Sequence, residues 1–152
     1  MNLPYLSSTQ RERIAHIGDS YLRLTGRPLV VTDGDLVEAL WSAPFAVVAH
    51  GTEADPVFYF GNQVALQLFE MDFGDFTQLP SRMSAEPLLQ AERARLLARV
   101  TQSGIIEDYA GVRIAASGKR FRISDASVWN LTDAAGIAVG QAAAFNVPAG
   151  QL

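Results

Sequence analysis

The side chains best suited to chemistry are few. His16 and His50 are the only histidines, and cysteine is absent. Thiolate nucleophiles, disulfides and cysteine metal sites are therefore excluded. Two isolated histidines also argue against a nucleophilic triad, a haem site or a His-rich metal site. The carboxylate pairs closest in sequence are Glu107-Asp108 and Asp72/Asp75. Neighbouring residues on a strand point to opposite faces, so Glu107 and Asp108 cannot converge as an acid–base pair. Asp72 and Asp75 fall in a short segment expected to be exposed. Ser117-Gly118-Lys119 reads as a hairpin turn, and no Gly-rich phosphate loop is present.

Polar residues in an otherwise apolar period-two pattern carry more information. Over residues 121–131 the odd positions are Phe121, Ile123, Asp125, Ser127, Trp129 and Leu131. That face is the apolar one, so Asp125 and Ser127 are expected to point inward. In the last strand Gln141 shares a face with Ile137, Val139, Ala143 and Phe145. The strand over 105–116 is ambiguous: its even face (Ile106, Ala110, Val112, Ile114) is more apolar, and a bulge would turn Tyr109 and Arg113 inward. Register is the weak point, because a one-residue bulge inverts such an assignment. Inward polar groups cost about 1–3 kcal/mol each when unsatisfied. They either bond one another, as when Arg113 or Arg122 pairs with Asp125, or they meet a ligand. Small residues nearby (Ala126, Ala142, Ala143, Ala144) leave room for one. Tyr109, Arg113, Asp125, Ser127, Trp129 and Gln141 are thus the candidate ligand-binding residues, although Trp129 also fits simple core packing.

These residues need a scaffold, and its elements are readable. Ser7 or Ser8 caps a first helix with apolar Ile14, Ile17, Tyr21 and Leu24, stopped by Gly26-Arg27-Pro28. A short helix over 34–41 precedes a buried strand, Phe45-Ala46-Val47-Val48-Ala49, ending at His50-Gly51. Val57-Phe58-Tyr59-Phe60 is a second strand, and Asn62 caps a helix over 63–69. Short turns and loop follow to Ser84, expected to cap a long helix with Glu86 and Pro87 in its first turn. Leu89, Leu96 and Val100 lie on its apolar stripe, and Gly104 is its left-handed C′ residue. Residues 104–116, 121–131 and 137–145 then form an antiparallel meander with turns at 117–119 and 133–136. Helices clustered between the second and third of five strands cover one sheet face, an α+β arrangement.

Bulk properties bound the function classes. The chain has 152 residues, 49% hydrophobic and 18% charged, with net charge −4. One compact domain of this size buries a real core. Residues 28–81 hold eight acids and no base, whereas 82–122 hold eight bases against four acids. This polarity could orient a dimer, though solvated faces explain it more simply. An acidic chain without aromatics among its bases argues against nucleic acid. No apolar run reaches the roughly 18 residues of a membrane span. The start, Met1-Asn2-Leu3-Pro4, shows no export leader, so a cytoplasmic location is expected.

The order of elements matches the PAS fold, and longer stretches are more specific. Leu40-Trp41-Ser42-Ala43-Pro44-Phe45, Tyr59-Phe60-Gly61-Asn62 and Leu79-Pro80-Ser81-Arg82-Met83-Ser84-Ala85-Glu86-Pro87 resemble the MEKHLA family. So do Asp108-Tyr109-Ala110-Gly111-Val112-Arg113, Val128-Trp129-Asn130-Leu131 and Gly140-Gln141-Ala142-Ala143. The resemblance runs over about residues 9–146 and implies a five-stranded antiparallel sheet with helices on one face and an N-terminal helical extension. It divides the chain into an extension (1–41), a core (42–147) and a tail (148–152). The resemblance also implies a sensory or dimerisation-controlling role and no catalysis. Flavin-adduct PAS domains need a Cys at the start of the helix after the second strand, where this chain has Asn62-Gln63-Val64. Haem-binding ones commonly use a His on the long helix, which has none here. No cofactor is expected beyond an unidentified small molecule. The expected partners are that ligand and a second copy through the N-terminal helices, with no direct nucleic acid and no membrane. Two alternatives stay open: an interaction module with a filled core, and, more remotely, a small α+β enzyme using Asp125 as base.

Overall fold

Helix α1 (Ser8–Thr25) starts where Ser7 and Gln10 form a reciprocal capping box, and it stops where Gly26 takes a left-handed conformation, φ 76°. Helix α2 (Leu36–Trp41) is shorter than the pattern implied, because Asp35 caps it by accepting from the Val37 amide. In this computed structural model, which describes residues 2–86 and 90–148, strands β1 (Ala46–His50) and β2 (Phe58–Gly61) follow. Then come helices α3 (Gln63–Phe69) and α4 (Phe73–Phe76), a 3₁₀ turn (Ser81–Ser84) and helix α5 (Gln90–Ser103). Strands β3 (Ile105–Ile114), β4 (Arg120–Thr132) and β5 (Ala138–Phe145) complete the chain.

The five strands form one antiparallel sheet in the order β2-β1-β5-β4-β3. The meander β3-β4-β5 is thus contiguous, and β1 joins it by pairing with β5. Gly104 ends α5 in the left-handed conformation, φ 78°. Its carbonyl accepts from the Asn130 amide, so the helix is tied directly to β4.

Helices occupy both faces. On the inner face, Phe58 stacks on Phe76, Phe76 meets Phe69, and Phe69 meets Phe121 of β4 edge-on, linking α3 and α4 to the sheet. Val100 of α5 packs with Ile106 and Val128 on the same side. Helix α1 covers the outer face, where Ile14, Ile17 and Tyr21 are buried and Tyr21 meets Trp129 edge-on at 5.0 Å.

One residue joins the layers. Asn62, completely buried, caps α3 by accepting from the Ala65 amide at 3.1 Å. The same oxygen accepts from Val47 of β1 at 3.0 Å. Its amide nitrogen donates to the carbonyls of Leu40 at 3.0 Å and Phe45 at 2.8 Å. The cap read from sequence is therefore also a junction between α2, β1 and α3.

Ser84 departs from expectation. It ends the 3₁₀ turn, is fully buried and donates to the Ser81 carbonyl at 2.7 Å, while α5 begins as described at Gln90. Pro87 and Leu89, assigned from sequence to the first turn and the apolar stripe, lie outside the described residues.

Candidate functional site

The register of β4 decides where the candidate residues go. Phe121 and Ile123 are buried on the inner face, as the alternation predicts. At Asp125 the backbone turns left-handed, φ 52°, and the phase changes. Asp is among the residue types that tolerate this conformation. Beyond this bulge the even residues face inward: Ala126 is paired with Tyr109 and Val128 with Ile106. Asp125 is exposed and belongs to no ion pair among the described residues. The expectation that it points inward is thus corrected, and so is that for Ser127. Ser127 shares the outer face with Trp129, because pleating alternates strictly between them.

Tyr109, Arg113 and Gln141 stand on the inner face. Irregularities in the β3–β4 pairing lie between Ile106 and Tyr109 and between Tyr109 and Gly111. They supply the bulge that the β3 assignment required, and Tyr109 and Arg113 come together with Ser84. The Arg113 guanidinium lies 5.8 Å from the Tyr109 ring centre and donates to Ser84 Oγ at 3.4 Å. Burial pushes the Arg113 pKa down, opposed in part by the Tyr109 hydroxyl. Further along, Gln141 donates to Asn130 Oδ1 at 3.4 Å, and Asn130 donates to the Val100 carbonyl of α5 at 3.3 Å. Asn130 was missed because the unbroken alternation put it on the outer side. Its only signal was the polar type at an even position facing Gln141.

Trp129 is completely buried, but on the outer face, where its Nε1 donates to the Ile17 carbonyl of α1 at 3.1 Å. The β4 end holds α1 further. The Thr132 amide donates to Ser20 Oγ at 3.0 Å, and Arg23 donates to the Thr132 carbonyl at 2.8 Å. Near β2, the Tyr59 hydroxyl donates to the Arg13 carbonyl at 3.1 Å, with the Arg13 guanidinium 4.1 Å from its ring centre. Burial raises the Tyr59 pKa, so the hydroxyl keeps its proton and remains a donor. The six candidates therefore split between the two faces, with β4 between them.

The rejected catalytic pairs have structural work instead. Glu107 pairs with Arg27 beyond α1 and Asp108 with Arg99 of α5; the register break between Ile106 and Tyr109 interrupts the alternation expected there, both carboxylates are exposed, and each is held by its own arginine. Asp72 caps α4 by accepting from the Asp75 amide at 2.7 Å. Among the described residues, no three acids or histidines gather as a metal site, and no helix is long and apolar enough to cross a membrane.

Known structures share this architecture. A light-oxygen-voltage domain studied with a flavin analogue superposes with a TM-score of 0.59 at 18% identity, covering 77% of this chain and 87% of that one. A PAS domain from Colwellia psychrerythraea gives 0.58 at 11% identity, covering 72% and 92%. The light-state dimer of the fungal blue-light photoreceptor Vivid gives 0.59 at 10% identity, covering 97% and 99%. At such identities the likeness is one of fold. No curated protein matches. The MEKHLA domain family model matches residues 11–147, nearly the whole length, and this chain belongs to the MEKHLA domain family.

Proposed function

We propose that this chain is a sensory or regulatory module in which a small ligand on the inner face of the sheet controls the seating of α1 on the outer face. The observation that carries this reading is the double use of β4. Its inward residues Ala126, Val128 and Asn130 meet β3, α5 and Gln141. Its outward residue Trp129 and its end Thr132 hold α1. A ligand that favours one packing of the inner face acts on α1 through one strand, by its differential affinity for the two arrangements. The ligand in this reading is small and mostly apolar, and the setting is the cytoplasm. No catalytic residue is assigned.

Output through a second copy of the chain fits the surface beside this helix. Leu22 and Leu24 on α1, Tyr5 before it and Val31 after it are exposed apolar side chains. Light scattering of the full chain tests this part: a dimer that Leu22→Arg and Leu24→Arg convert to monomer supports it, and a monomer at all concentrations overturns it.

A second reading is a ligand-free interaction module. It is favoured by the aromatic chain Phe58–Phe76–Phe69–Phe121, which fills one end of the inner face. Native mass spectrometry of freshly purified protein separates the two. A bound small molecule lost on denaturation supports sensing, whereas identical native and denatured masses support the filled module.

A further inference from the structure

A guanidinium placed against a sheet face is expected to be paired, because removing a charge from water is costly. Arg113 is half-buried and takes part in no ion pair among the described residues. Of its five N–H donors, one reaches Ser84 Oγ at 3.4 Å, near the limit for a hydrogen bond. The nearby Glu86 carboxylate is already held by Arg120 at 2.8 Å.

Tyr109 brings a second donor to the same place. Tyr109, Gly111 and Arg113 pair with Ala126, Ile123 and Phe121 along β4, and so line one face. A side chain at position 111 would put its Cβ 2.6 Å from the Tyr109 hydroxyl oxygen. That oxygen therefore lies over the bare Gly111 backbone, on the side where Arg113 stands. The Ser84 hydroxyl gives its proton to the Ser81 carbonyl, so its oxygen is left to accept from Arg113 as a neutral partner that does not balance the charge. Hydroxyl and guanidinium converge, and among the described residues no carboxylate pairs with them.

We propose that Arg113 and Tyr109 bind the carboxylate of a small ligand, with Ser84 steering the guanidinium. The inference rests on the sensory reading above and names the chemistry of its ligand. A planar guanidinium matches a carboxylate edge to edge, with two parallel hydrogen bonds. One positive charge suits a monoanion better than a phosphate dianion. The negative charge of a bound anion also offsets the burial that lowers the Arg113 pKa.

The test titrates the full chain with sodium benzoate in phosphate-free buffer and follows the arginine Nε–Hε signals by NMR. Benzyl alcohol, benzamide and sodium phosphate serve as arms at matched ionic strength. Benzoate is expected to move the Arg113 signal saturably, with the other three at least about tenfold weaker, as one strong charged bond implies. Every variant is read on the backbone amides of residues 109 and 111: Arg113→Gln abolishes the benzoate response and Tyr109→Phe weakens it about fivefold, the value of one hydrogen bond. If Arg113→Gln does not fold, Arg113→Lys keeps the charge without the fork and is expected to weaken benzoate about tenfold. Equal responses to benzoate and benzamide, a response to phosphate alone, or anion effects confined to exposed arginines overturn the proposal. Native mass spectrometry separates its failure from that of the sensory reading. A neutral co-purified molecule retained by Arg113→Gln refutes the carboxylate and leaves sensing intact, whereas no bound molecule and no benzoate response refute both.

Discussion

Replacing Asn62 should be among the most damaging single changes in this chain. Asn62→Ala leaves the Val47 amide and the Leu40 and Phe45 carbonyls without their side-chain partner, and it removes the cap of α3. Loss of the cap costs about 1 kcal/mol. Each buried group left unpaired adds about 1–3 kcal/mol, with some recovered by entering water. The total is roughly 3–5 kcal/mol, a large part of the about 5–15 kcal/mol that holds such a domain together. With a urea slope of about 2 kcal/mol/M, the midpoint falls by roughly 2 M. Asn62→Asp sharpens the test. It keeps the acceptor for the Val47 and Ala65 amides, but at neutral pH it turns a buried oxygen toward two carbonyls that need a donor. Burial and those carbonyls raise its folded-state pKa above the unfolded value, so the variant gains relative stability as pH falls toward 4 and the carboxyl protonates. Equilibrium urea denaturation at pH 7 and pH 5 measures both effects. An Asn62→Ala loss below about 1 kcal/mol, or Asn62→Asp matching the parent at pH 7, refutes the idea that this amide is the junction.

Other perturbations follow from the same structure. A Cβ on Gly140, whose φ is 155°, overlaps the His50 carbonyl oxygen, so Gly140→Ala should cost more than about 2 kcal/mol and loosen the β1–β5 pairing by amide exchange. Trp129→Phe keeps the ring against Tyr21 but removes the bond to Ile17, so thermal unfolding should report a loss of about 1–2 kcal/mol. Glu70 accepts from the Ser117 amide at 3.1 Å, and the Ser117 hydrogen bonds hold its pKa below the usual 4.5. Its contribution is present above that pH and lost as pH falls through the lowered folded-state value, so Glu70→Gln should flatten the decline of melting temperature below pH 4.5.

What could be read from sequence was local. Ser7, Asn62, Gly26 and Gly104 announced helix ends through chemistry that acts within a few residues, and each does so in the fold. Turns at Gly118 and Gly136, with φ 88° and 82°, likewise set off the meander. The face of each polar residue was less legible, because it depends on a bulge of one residue. Asp125 adopts a conformation that costs energy locally and is held by pairing with β3 on either side of it, at Ile123 and Ala126. Nothing in an apolar–polar alternation marks such a switch. The seating of α1 was hidden for a related reason: the Trp129 donor and its Ile17 acceptor lie 112 residues apart. The split of Gln141 and Arg113 from Ser127 and Trp129 followed from those two facts.

The central claim is that α1 and the inner face form one cooperative unit through β4. Amide hydrogen exchange over α1 in the parent and in Val128→Ala tests it most directly. Val128 packs inward with Val100 and Ile106, away from α1, and its truncation should cost about 2 kcal/mol. If the unit is cooperative, the slowest amides of α1 and of β4 accelerate together by about 30-fold. If α1 opens independently, its amides exchange at the parent rate while those of β4 and α5 accelerate, and the coupling is refuted.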